Sequence, residues 1–164
     1  MRLKIVCATT IFSTALFAQA GPSPSKSKTE SGNESIRAGK LLKEIKVNAD
    51  QIRSSALTLE KLAMETNAGW SDYDRQWNII KPAQERIDLT MQRLERMQAS
   101  LSPTERQAVA QTKKDLDAIA DATHDLWMRI GQQRVDLKAP ALKADARRLD
   151  KAAGELIKEV ASIS

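Results

Sequence analysis

Through most of the chain the apolar residues recur at alternating intervals of four and three, the spacing that keeps one stripe of a helix turned toward partner helices. A first stripe runs Ala38, Leu42, Ile45, Ala49, Ile52, Ala56, Leu59, Ala63. A second runs Trp70, Tyr73, Trp77, Ile80, Gln84, Ile87, Met91, Leu94 and on to Leu101. A third runs Val109, Thr112, Leu116, Ile119, Thr123, Leu126, Ile130, and a fourth Leu142, Ala146, Leu149, Ala153, Leu156, Val160, Ile163. Polar and charged residues fill the positions between. The pattern predicts four amphipathic helices in succession.

Start and stop chemistry falls where the stripes break. Ser31 and Glu34 have capping-box spacing ahead of the first stripe, which ends at Asn67-Ala68-Gly69, where glycine can take the left-handed conformation beyond a helix end. Ser71 is positioned to cap the second helix, with Asp72 and Asp74 at the positive end of its dipole. Pro82 lies inside that helix and predicts a kink, since it lacks a donor and crowds the carbonyl of Asn78. Leu101-Ser102-Pro103-Thr104-Glu105 is the strongest local signal. Ser102 serves as N-cap, Pro103 as first helical residue and Glu105 as the residue that reaches back to the cap. Pro140 opens the fourth helix in the same way. Four helices joined by short connections predict an all-α fold over residues 33–164, an antiparallel up-down-up-down four-helix bundle. A homodimer of helical hairpins is the variant of this reading, so the chain is expected to be a monomer or a homodimer.

The first twenty residues do not belong to that pattern. Arg2 and Lys4 precede an uncharged apolar run from Ile5 to Ala18, and Ala18-Gln19-Ala20 is a small-x-small cleavage signal. This predicts a secretory signal peptide over 1–20, cleaved after Ala20, and a periplasmic or secreted protein. The apolar run is too short for a membrane span. No other segment of the chain is apolar enough to be one. Residues 21–32, rich in Ser, Pro and Gly, predict a flexible tether.

Cleavage alters the composition. Of 164 residues 144 remain, without the single cysteine, Cys7, and the charge falls from +5 to +3. No disulfide or thiol chemistry is then possible. Both phenylalanines leave with the leader, so Trp70, Tyr73, Trp77 and Trp127 are the only aromatic residues. One histidine, His124, and no cysteine exclude a c-type haem motif, a Glu-x-x-His di-iron pair and Cys/His zinc sites. No phosphate loop, nucleophile elbow or triad spacing is present, so no enzymatic activity and no cofactor are expected. Basic residues are mixed with Asp and Glu around residues 26–46 and 134–151. That mixture is the composition of solvated faces, and an exported protein is not expected to meet nucleic acid.

Two candidate sites remain. If the second and third helices fold back about Ser102, Trp77 and Trp127 each lie 25 residues from the turn and come level. The same construction at the neighbouring turns gathers Trp70, Tyr73, Trp77 and Trp127, with Met64 and Met128, at one end of the bundle. Such a cluster is either an aromatic cap on the core or a surface for a partner or ligand. The second candidate is His124 with Asp121 one turn before it. An Asp-x-x-His face can hold a divalent metal, and a haem iron can take His124 with Met64 or Met128, against the alternative of an exposed acidic stripe with a solvated histidine.

The segment Leu101-Ser102-Pro103-Thr104-Glu105 also resembles the Leu-Thr-x-x-Gln motif of the Spy/CpxP periplasmic stress chaperones, exported helical proteins, with Ser and Glu in place of Thr and Gln. The reading that follows is an exported, non-enzymatic helical bundle with an accessory or chaperone-like role, acting through contact with a protein or an envelope component. A small haem- or metal-binding bundle using His124 is the alternative.

Overall fold

The computed structural model describes residues 28–132 and 140–163, with side chains over 32–131 and 140–162. The expected leader over 1–20, the first part of the tether and the connection at 133–139 lie outside the described residues. Four helices, α1 (Lys28–Leu62), α2 (Trp70–Arg96), α3 (Pro103–Gln132) and α4 (Pro140–Ile163), pack together, and there is no strand among the described residues.

Local chemistry accounts for each boundary. α1 begins at Lys28, ahead of the expected capping box, so Ser31 lies inside the helix. Beyond Pro24 the sequence holds no residue that stops a helix, and Gly32 costs only about 1 kcal/mol relative to Ala. α1 ends sooner than Asn67, because Met64 and Glu65 donate to Lys61 and Leu62 in tight three-residue turns. α2 is capped by Gly69 and not by Ser71. The Gly69 N–H donates to Asp72 Oδ2 (3.0 Å), and the Asp72 N–H returns to the Gly69 carbonyl (3.0 Å). α2 runs without a break through Pro82. At α3 the expected box forms: Ser102 N–H donates to Glu105 Oε2 (2.8 Å), and Glu105 N–H donates to Ser102 Oγ (3.2 Å).

The stripes of α1 and α3 are buried in full, as is that of α4 through Val160. The side chain of Ile163 lies outside the described ones. α2 departs from expectation by one position. Its buried residues step through Ala83 and Thr90, while Trp77 and Gln84 stand half-buried at its margin. A small residue suits the inward position; a tryptophan and a glutamine do better where their polar ends reach water.

Helices pack most closely where alanines face the partner. α1 lies against both α2 and α4, and α4 lies against α3, whereas α2 and α3 approach each other least. Ion pairs and polar contacts stitch the close sides. Arg53 Nε meets Asp150 Oδ1 (3.0 Å), Arg147 Nε meets Glu60 Oε1 (2.7 Å) and Lys143 Nζ meets Met64 Sδ (3.1 Å). Ascending positions on α1 thus meet descending positions on α4. Similarly, Arg129 pairs with Asp145 and Arg148 with Asp125 between α3 and α4. The weakly joined α2–α3 side is the open face of the molecule.

Candidate binding groove between α2 and α3

The two tryptophans expected to come level do so. Trp77 of α2 and Trp127 of α3 stack with ring centroids 4.5 Å apart and planes inclined by 22°. Trp77 packs against the core, whereas Trp127 is 40% exposed. The pair therefore bridges the open face with one ring anchored and the other in water. Offset stacking of this kind contributes about 0.5–1.5 kcal/mol beyond area burial.

The other aromatic residues hold different positions. Tyr73 is fully buried and belongs to the core. Burial, followed by the charges of Glu65 and Asp72, raises its phenol above the ordinary value and keeps it protonated. Trp70 is half-buried against the same core. Met64 and Met128 are exposed. Of the four aromatic candidates, Trp77 and Trp127 form the surface-facing pair, and Tyr73 and Trp70 support the core beneath.

Below the stack lies a groove of about 430 Å³, with Lys81, Glu85 and Asp88 on its α2 wall and Thr123 and His124 on its α3 wall. Farther along the same helix pair, Lys113 Nζ of α3 meets Glu95 Oε1 of α2 at 2.6 Å. On the α2 wall two carboxylates, Glu85 and Asp88, outnumber the single base Lys81. Asp88 is raised above the usual carboxylate value, first by partial burial and then by the charges of Glu85 and of Asp117 from across the gap.

His124 lies within this groove and is exposed, as is Asp121. Asp125, one residue beyond His124, is drawn to Arg148 on α4. Among the described residues no three His, Cys, Asp or Glu side chains are gathered as a metal ion requires. Thr123 is buried and donates to the Ile119 carbonyl (2.7 Å).

A larger cavity, about 1180 Å³, opens at the opposite end around Ser35, Ser100, Ser102, Glu105 and Ser162. Its polar groups are occupied with one another: Ser35 Oγ donates to Glu105 Oε1 (2.8 Å), and Ser100 Oγ donates to the Met97 carbonyl (2.8 Å). No aromatic or basic residue lines it. It is the mouth left where helix ends of different length meet.

Sequence spacing located the tryptophan pair but not the acidic wall. Glu85, Asp88 and Asp117 sit on the flanks of their helices, where each reads as an ordinary solvated charge. Only the placing of α3 beside α2 brings the charge of Asp117 onto Asp88. No described helix is long and apolar enough to cross a membrane. The chain matches no protein-family model, no curated protein and no solved structure.

Proposed function

We propose that the chain is an exported, antiparallel up-down-up-down four-helix bundle that works by holding a partner polypeptide on its α2–α3 face, in an accessory or chaperone-like role and without catalysis. The contacts that join rising positions on α1 to falling positions on α4, and the Trp77–Trp127 register across α2 and α3, support the antiparallel arrangement. Arg2, Lys4, the apolar run to Ala18 and the Ala18-Gln19-Ala20 signal support export.

One observation carries the binding assignment. The chain places its only exposed tryptophan, stacked on a second, at the edge of the least closely packed helix pair. A bundle that needed aromatic mass only to fill its core would bury both rings, as it buries Tyr73. An exposed ring fixed by a stacked neighbour loses little freedom on binding and presents a large amphipathic surface.

Aggregation of reduced, unfolded model proteins, followed by light scattering with and without the purified mature chain, tests this reading. The wild-type chain is expected to suppress aggregation, and a Trp77→Ala/Trp127→Ala variant that keeps its helical circular dichroism is expected to suppress it several-fold less. Equal suppression by both, or none by either, refutes the assignment.

A further inference from the structure

The seven ion pairs among the described residues engage carboxylates on every side of the molecule, among them Asp72, Glu95, Asp125, Asp145 and Asp150. Glu85, Asp88 and Asp117 enter none of them, although the chain as a whole is basic at +5. Each of these side chains has basic residues nearby in sequence, Lys81 and Arg86 on α2 and Lys113 and Lys114 on α3. Lys113 bonds Glu95 and reaches Asp117 only through its field. Glu85 and Asp88 thus face the groove with Lys81 as the one lysine or arginine in its lining, and Asp117 acts on Asp88 from α3; like charges held near one another are stabilised by a cation placed between them.

The groove also has direction. Trp77 and Trp127 form its apolar end and Asp88 its acidic end, with Asp117 of α3 close enough for its charge to act on Asp88; 11 residues of α2 separate Trp77 from Asp88. At about 1.5 Å per helical residue this is roughly 16 Å. No single side chain spans that distance, whereas an extended chain covers it in about five residues at roughly 3.3 Å each. Lys81 stands between the two ends and repels a cation placed beside the rings.

We propose that the α2–α3 groove binds an extended polypeptide segment that sets an apolar residue on the Trp77–Trp127 pair and, about five residues along, an arginine or lysine among Glu85, Asp88 and Asp117. This deepens the reading of the chain as a polypeptide-holding bundle and rests on it. The tryptophans supply the burial, the carboxylates select the charge and the spacing sets the register.

Fluorescence anisotropy of dye-labelled twelve-residue peptides with the purified mature chain tests it. The reference peptide carries a leucine and an arginine five residues apart in a Gly/Ser background; its partners replace the arginine by citrulline or by glutamate. The reference is expected to bind about tenfold more tightly than the citrulline peptide, and the glutamate peptide more weakly still. A Glu85→Gln/Asp88→Asn/Asp117→Asn variant is expected to erase the difference, with Asp88→Lys alone reversing the preference toward glutamate. Should the triple variant fail to fold, the Asp88→Lys reversal decides. Equal binding of all three peptides, lost on Trp127→Ala, leaves the polypeptide-holding reading standing and overturns the charge assignment. Spermidine that displaces the reference peptide at the peptide's own concentration overturns it in favour of a small-cation site. Absence of binding by every peptide removes both readings.

Discussion

Glu105 forms three hydrogen bonds at the start of α3. One carboxylate oxygen accepts the Ser102 N–H and the other accepts Ser35 Oγ from α1, while its own N–H donates to Ser102 Oγ. The bonds from Ser102, backbone then hydroxyl, and then that from Ser35 hold the carboxyl below its ordinary value. A carboxyl lowered in the folded state adds stability that is fully present above the unfolded value and lost as pH falls through the folded one. Glu105→Gln is therefore expected to destabilise the chain near pH 7, with the deficit shrinking toward about pH 3, as read by urea unfolding at both values. Ser102→Ala should cost about 1 kcal/mol, and part of that loss should follow the same pH course, because the cap hydroxyl bonds a backbone N–H and also helps hold the Glu105 carboxyl low. Thr112 presents the opposite case. Its side chain is fully buried and its Oγ1 has no hydrogen-bond partner. Removing an unsatisfied hydroxyl while keeping the shape relieves its desolvation penalty, so Thr112→Val is expected to raise stability by about 1 kcal/mol and the thermal midpoint by a few degrees.

Among the elements, what could be read from sequence depended on whether the controlling interactions were local. The α3 start was legible because Ser102, Pro103 and Glu105 determine it within four residues. The stripes of α1, α3 and α4 were legible because each has one apolar face. In α2 the inward stripe was misplaced at Gln84: Trp77 and Gln84 keep the heptad interval, yet the structure buries Ala83 and Thr90 in their stead. That choice depends on how wide the gap to α3 is, which no residue of α2 encodes. The Lys28 start was missed because Ser27 and Glu30 have the same capping-box spacing as Ser31 and Glu34, and spacing alone does not choose between the two pairs. Helix propensity leaves one margin open in α4. Gly154 lies mid-helix, and a Cβ there would meet Arg53 Nε at 3.7 Å, an ordinary contact. Gly154→Ala is expected to stabilise the chain by about 0.5–1 kcal/mol, measured by chemical denaturation, and to leave the Arg53–Asp150 pair in place.

On the scale of the whole molecule, the helices form an incomplete ring in which α2, α1, α4 and α3 follow one another closely and the last contact, α3 to α2, is the loosest. Across that opening, among the described residues, the Trp77–Trp127 stack and the Lys113–Glu95 pair link the side chains. The ion pair is exposed and screened by water, so it contributes little. The stack therefore carries much of the closure energy. A double-mutant cycle separates its pairwise part from the loss of buried area that each substitution brings. Trp77→Ala should cost more than Trp127→Ala, because Trp77 packs on the core while Trp127 is 40% exposed. The coupling energy between them should be about 1 kcal/mol, within the range for aromatic pairs. Two indoles at 4.5 Å should also give a paired near-ultraviolet circular dichroism band that either single substitution abolishes. If the cycle returned no coupling and the band survived in a single variant, α2 and α3 would be held through their separate partners alone. The groove width would then be set by α1 and α4, and a peptide bound in it would leave the tryptophan spectrum unchanged.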